Sequence, residues 1–354
     1  MAAIPNRAAV TPRKAERAAN DALQLYGVAG ALLVLAPAFC SDFVLLQILG
    51  WSMILGMIAL SLMFLAGYGG MVSLVQMTVA GLAAYLVAIF GSSAVSAISL
   101  NWAWWLAVPA AVFVATLFGA GVGALAVRTA GIYTIMITLA VAAAFFYFTQ
   151  QNYAIFNGFT GFNQVVPPKA FGVAWREPIP FYELILACAA AAYAAVLYVS
   201  RSPFGLALQG LRDNARRMEA LGFDVTAHRI AAYAFASLIA AVAGVLLVWL
   251  NAQVSPGTAA VGPAIDILII AVVGGIGHPV GPFVGALIYV LLRTFALDAL
   301  VAVGLSGERF ELLIGLGFLI VVFFSPDGML GLWAHWRRAA SGRNYLARRT
   351  GDRR

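Results

Sequence analysis

The residues that could do chemistry are few and scattered. The three histidines, His228, His278 and His335, lie far apart and form no HExxH or comparable ligand spacing. The two cysteines, Cys40 and Cys188, stand in or at the edge of apolar runs, without the spacing of a metal cage or the partners of a disulfide framework. They read as small apolar filler. A phosphate-binding loop ends in Gly-Lys-Ser/Thr, and both lysines fail that test: Lys14 follows Arg13 and Lys169 follows Pro168. No catalytic set, no metal site and no cofactor is expected, so any ATP-driven role requires a separate ATPase. Charges inside a bilayer are costly and mark function by default. Asp266, Glu183, Glu311 and Arg293 qualify, each about a turn or two from the end of an apolar run. Glu183 and Glu311 read as interfacial. Asp266, just after Gly262-Pro263-Ala264, stays open between a structural role and a place on a solute path. With no paired carboxylates deep in the runs, a proton relay has no foundation.

The elements that must position these residues are hydrophobic throughout. The chain is 63% hydrophobic and 10% charged, with a mean hydropathy of +0.94, outside the range of soluble domains. Its apolar runs approach the roughly twenty residues that a helix needs to cross about 30 Å of hydrocarbon. They do not alternate apolar with polar, which excludes a β-barrel. The runs cover 23–39, 43–66, 71–90, 102–127, 131–148, 181–199, 230–250, a broken region 263–295, and 310–324. The reading is an all-α polytopic membrane protein of about eight to ten transmembrane helices, with a broken or re-entrant pair near 263–295. A polar tail, 1–22, precedes the membrane domain, 23–332, and a basic tail, 333–354, follows it. The first run is too long for a signal-peptide core and reads as an uncleaved helix, although Ala36-Pro37-Ala38 resembles a cleavage site.

A net charge of +7 could suggest nucleic acid, but its distribution argues for membrane orientation instead. With the N-terminus inside, all of the 21 lysines and arginines except Lys169, Arg176, Arg293 and Arg309 fall on the inner side. The positive-inside rule then makes both termini and loop 201–229 cytoplasmic, and places loop 149–180 outside. That outer loop carries "NGFTGFNQVVPP", an ordered turn by its glycines and prolines, either a connector or a surface for a partner.

Loop 201–229 contains the most polar stretch between two spans. Ser202 and Pro203 form a helix start. Leu211, Ala215, Met218 and Leu221 recur on one helical face, Asp213 precedes Arg217 by four, and Gly222 suits a helix end. A helix over 210–222 carrying acids among its arginines suits a protein socket better than an anionic lipid surface. A faint repeat adds to this. "GMVSLVQMTVAGLAAY" (70–85) and "GGIGHPVGPFVGALIY" (274–289) share glycines at Gly70 with Gly274 and Gly81 with Gly285, each second glycine four residues before a tyrosine, Tyr85 and Tyr289. Glycine-interrupted repeats line the path in many transporters, and glycines at this spacing equally serve close helix packing.

At these residues a family resemblance enters. "RDNARRMEALGFDV" resembles the cytoplasmic loop motif of permease subunits of bacterial branched-chain amino acid ABC importers. "GYGGMVSLVQMTVAGLAAY" is similar to that family's "GYxGxxSLGxxxFxGxGAY", "GIYTIMITLA" to its "GxYxxxxTLA", and "NGFTGF" to its outer-loop "TGGxxGL". "VSPGTAAVGPAIDILIIAVVGGIGHPVGPFVGA" resembles its "SPxxx…SIEIL…GGxGxxxGPxxGA" region, with Asp266 at the acidic position, and "FFSPDGMLGL" its closing "LFxPxGLxGL". The likeness runs over about 67–332. The chain departs from the pattern after "TLA", where "VAAAFFYF" lacks the family's Phe-Ala-Glu and arginine, and at 74–79, where "LGHAAF" is replaced.

The resemblance implies a permease of the bacterial inner membrane that moves branched-chain or other hydrophobic amino acids. It implies a second, related permease, two cytoplasmic ATPases and a periplasmic substrate-binding protein as partners. Leu211, Arg212, Asp213, Asn214, Ala215, Arg216, Arg217, Met218, Glu219, Ala220, Leu221 and Gly222 would form the coupling element seated on an ATPase. Gly70, Gln76, Gly81, Tyr85, Asp266, Gly274, Gly275, Gly277, Gly281 and Gly285 are the candidates for the translocation path. Urea or short amides are the alternative cargo within this importer class. An ion-coupled secondary transporter is the alternative outside it, and a membrane enzyme lacks any clustered nucleophile, base or metal site.

Overall fold

A computed structural model describes residues 30–302, apart from 31, 130 and 171, together with residue 329. Both tails and the run 310–324 lie outside the described residues, and so do 23–29 and 31 of the run 23–39. Five helices there are long and apolar enough to cross a membrane: α1 (Val44–Tyr68), α3 (Trp104–Ala126), α4 (Ile132–Gln151), α5 (Pro178–Arg201) and α7 (Val225–Asn251). Between them lie α2 (Gln76–Phe90), the polar α6 (Pro203–Ala220), α8 (Val261–Gly274) and α9 (Gly281–Ala302). The architecture is an all-α polytopic membrane protein, as the hydropathy requires.

Local chemistry fixes several helix ends. Pro178 opens α5, where its missing N–H costs no hydrogen bond. The Ser202 hydroxyl accepts from the Gly205 N–H at 3.3 Å, with Pro203 as the first residue of α6. Asp224 Oδ1 accepts from the Ala227 N–H at 2.9 Å and starts α7.

One expected run is broken. Helix α2 begins at Gln76, not at 71, because Gly70 holds a left-handed backbone, φ +67, that ends α1. Segment 70–75 is non-helical, and the buried Thr138 hydroxyl of α4 accepts from the Leu74 N–H at 3.2 Å. The region 263–295 resolves into a hairpin. At 14 residues α8 spans about 21 Å, too short for the hydrocarbon core, whereas α9 has 22 residues and the length of a crossing.

The buried centre is α1, of whose most apolar window 89% is covered, followed by α7 at 67%. For α3, α4 and α5 that share is only 28–33%, which places them at the periphery. Helix α7 lies along both α2 and α3. A Cβ at Gly244 would collide with the Ala80 carbonyl, so the glycine is what lets α7 and α2 approach.

The loops sort to two ends. At the near end, loop 201–224 meets the α1 terminus, where the Arg212 guanidinium donates to the Gly67 carbonyl, and Gly67 in turn lies against Ile276 of turn 275–280. At the far end, Phe162 and Asn163 pair antiparallel with Val254 and Gln253, and the Ala94 N–H donates to the Asn163 carbonyl at 3.0 Å.

Candidate functional site

The near end carries the polar stretch, and its shape differs from one continuous helix. Asn214 has φ −158 and ψ 94, which interrupts α6. Its side-chain Oδ1 accepts from the Arg217 N–H at 3.0 Å, so Asn214 acts as the N-cap of a new short helix. The expected uninterrupted helix over 210–222 is thereby corrected. A short polar side chain that bonds nearby backbone competes with helix propagation, and here it wins.

The break also redistributes the apolar face. Leu211 is buried against its own chain. Met218 stacks over Gly210, leaving no room for a Cβ there. Leu221 is 68% exposed and Phe223 38% exposed, and together they form the apolar tip of the loop. Gly222, at φ +90, makes the turn between them, and the Phe223 N–H reaches back to the Met218 carbonyl at 3.1 Å. The Phe223 ring stands edge-on to His228, 5.6 Å away, and His228 stacks on Phe204 at 5.7 Å. Arg216, Arg217, Glu219 and Ala220 surround the tip as exposed residues.

Arg212 ties this loop to the membrane domain. Besides donating to the Gly67 carbonyl, it pairs with Asp213 at 3.1 Å. That ion pair is largely exposed and contributes little. The bond to Gly67 ends on a helix terminus, next to the Gly70 turn against which the Arg212 stem packs. Replacing Arg212 with alanine should lower the melting temperature in detergent by a few degrees, since a hydrogen bond to a charged group is worth about 1.5–3 kcal/mol when buried and less here. An unchanged melting curve would show that the contact bears no load.

The residues expected on a path separate into distinct settings. Gln76 is buried, its Oε1 accepting from the Ser61 hydroxyl at 3.2 Å. Gly81 abuts Ala259 of the turn Pro256–Ala259, which dips in from the far end. Tyr85 is buried, with Phe156 at 5.2 Å and Phe162 at 6.1 Å closing over it from the far-end loop. Gly274, Gly281 and Gly285 sit where α8 and α9 touch backbone to backbone. Gly275 and Gly277 belong to the turn, where His278 Nδ1 accepts from the Val280 N–H at 3.3 Å. Burial holds the His278 pKa below its usual value, consistent with the neutral ring this bond needs.

Asp266 has a different place. It lines a cleft of about 570 Å³ between α1, α7, α8 and α9, with Trp51, Leu55, Leu247, Asn251, Thr258, Tyr289 and Arg293. Arg293, expected about a turn or two from the end of an apolar run, lies two residues before the end of the apolar stretch Gly281–Phe295 of α9. Helix α9 continues to Ala302, and Arg293 falls near its middle. A smaller cleft of about 420 Å³ at the far end is lined by Trp102, Trp104, Trp175, Trp249 and Arg176. Tryptophans at that level match an interfacial aromatic belt.

Glycine-broken segments, a half-length helix paired with a longer one, and long apolar helices are the features of a membrane permease. Over residues 44–322 the chain matches the family described as "Branched-chain amino acid transport system / permease component", and it belongs to that family. It is similar to the probable branched-chain amino acid transport permease protein LivM of Methanocaldococcus jannaschii, 29% identical over 138 residues, 36% of this chain and 40% of that protein. It is also similar to the high-affinity branched-chain amino acid transport system permease protein LivM of Salmonella typhimurium, 22% identical over 261 residues, 67% of this chain and 60% of that protein. In both cases the chain spans less than two thirds of the relative's length. No solved structure matches.

Proposed function

We propose that this chain is the transmembrane permease subunit of an ATP-driven importer that translocates branched-chain or other hydrophobic amino acids. The observation that carries the proposal is the near-end loop. It presents an exposed apolar tip, Leu221 and Phe223, ringed by charges and tied through Arg212 to the ends of α1 and the 70–75 break. An exposed apolar tip on a polar loop suits a protein socket. The positive charges of the same loop make the near end cytoplasmic, and the tails join it there, so the socket belongs to the cytoplasmic ATPases. The far-end loops then face the periplasm and the binding protein that delivers the solute. Arg293 of α9 is exposed, and lipid is a poor neighbour for a guanidinium. A second, related permease covering that face accounts for it.

The test is uptake of radiolabelled leucine into proteoliposomes holding this chain with the partner permease, ATPases and binding protein of the same importer. Uptake should require ATP inside and binding protein outside. Leucine accumulation by the chain alone on a proton or sodium gradient would replace this proposal with a secondary transporter.

A further inference from the structure

The far-end cleft, about 420 Å³, is built where three helices stop. Val87 lies three residues before the end of α2, Ala107 three after the start of α3, and Trp249 two before the end of α7. At 1.5 Å per residue its floor sits about 5 Å inside the helix ends, the level of lipid headgroups rather than of hydrocarbon. Two of its walls are pinned by backbone. The Trp102 N–H donates to the Phe90 carbonyl at 2.8 Å, and the two rings stack with centroids 5.1 Å apart. On the loop side, the Val165 N–H donates to the Ala252 carbonyl at 3.0 Å, which anchors the wall that runs from Val165 to Pro168. The cleft is therefore formed before anything enters it.

Its chemistry is one-sided. Trp102, Trp104, Trp175 and Trp249 supply aromatic surface, and Arg176 is the one charge among the described residues that line it. Among the described residues Arg176 forms no ion pair, not even with Glu177 beside it. A guanidinium at headgroup level suits a phosphate diester, whose anionic oxygens it meets with parallel hydrogen bonds. Indole faces attract an alkylammonium. From the cleft toward the near end, α3 turns Leu106, Phe113 and Leu117 outward on one exposed apolar face, the length of surface that an acyl chain covers. We propose that this cleft binds the headgroup of a zwitterionic phospholipid, Arg176 taking the phosphate, the tryptophans the ammonium, and the exposed face of α3 one acyl chain. The site is independent of which solute the chain moves, and so stands apart from the importer reading.

The experiment adds equimolar phosphatidylethanolamine and phosphatidylglycerol to the full chain, delipidated in detergent, and counts lipid adducts by native mass spectrometry. Phosphatidylethanolamine should be retained several-fold above phosphatidylglycerol, the scale of a cation–π contact at a partly exposed site. Arg176→Gln should lower retention of both lipids at least about 10-fold, since a charged hydrogen-bonding partner is lost. Arg176→Lys, still cationic, should keep most of it. Trp104→Leu combined with Trp175→Leu should instead erase the preference between the two lipids and leave phosphatidylglycerol bound. Trp105→Leu is the control, an exposed tryptophan next in sequence that does not line the cleft, and it should change neither reading. If Trp105→Leu costs as much as the cleft pair, or if Arg176→Gln leaves retention unchanged, the tryptophans form only a general interfacial belt and the site is overturned. If glycerophosphoethanolamine, the same headgroup without acyl chains, displaces the lipid at equal concentration, the cleft takes a soluble phosphate ester and the lipid is overturned as its occupant. If the wild-type chain retains no lipid and instead captures a periplasmic binding protein through Arg176, the cleft is a protein-docking surface and the proposal falls.

Discussion

Leu221→Asp should abolish substrate-stimulated ATP hydrolysis in the assembled importer while leaving the permease folded. Leu221 is 68% exposed, so the free chain loses almost nothing when it is replaced. In the proposed complex the same side chain fills the ATPase groove. Burying a leucine is worth about 1.5–3 kcal/mol, and an unpaired carboxylate in its place costs about 3–5 kcal/mol more. The combined penalty corresponds to at least a thousand-fold weaker docking, at about 1.4 kcal/mol per tenfold. Arg217→Ala is the contrast: its charge is exposed, such pairs are worth at most about 1 kcal/mol, and coupling should fall only several-fold. The readouts are ATPase activity and co-purification of the ATPase with the tagged permease. Normal stimulation in Leu221→Asp would mean that the docking tip lies elsewhere on the near end.

Met218 illustrates how sequence periodicity draws one continuous apolar face over 211–221 where the chain has a break. Leu211 shares a face with Ala215, Met218 and Leu221 only if the helix is continuous, and it breaks at Asn214, whose Oδ1 accepts from the Arg217 N–H. Asparagine is a known capping residue, so the signal was present, but an apolar repeat outweighed it. Hydropathy located the spans well, because burial in lipid depends on composition: the runs 102–127 and 230–250 correspond to Trp104–Ala126 and Val225–Asn251. It missed the break at 70–75, since apolar content says nothing about the positive φ of Gly70. Contacts across long separations were invisible for a different reason. Arg212 and Gly67 meet across 145 residues, and nothing in either local pattern names the other.

The hairpin glycines admit a decisive test of what they are for, whether lining a passage or allowing two helices to touch. A Cβ at Gly274 would strike the Gly281 carbonyl, and one at Gly285 would strike the Ile270 carbonyl. In both cases the obstacle is backbone, which cannot rotate aside as a flexible side chain can. The strain also spreads, because Phe283 of α9 packs against Gly56 of the buried α1. Overpacking a well-filled core costs about 1–3 kcal/mol even when side chains can adjust, and two backbone collisions leave less freedom than that. Gly285→Leu should therefore eliminate the monodisperse peak in size-exclusion chromatography of the detergent-extracted protein, with Gly274→Leu acting alike. Gly277→Ala is the control, since its added methyl meets open space in the exposed turn, and it should express and migrate normally. Were Gly285→Leu to fold and assemble normally yet block leucine uptake, the glycine would line the passage itself, and the close contact of α8 with α9 would not be what holds this region together.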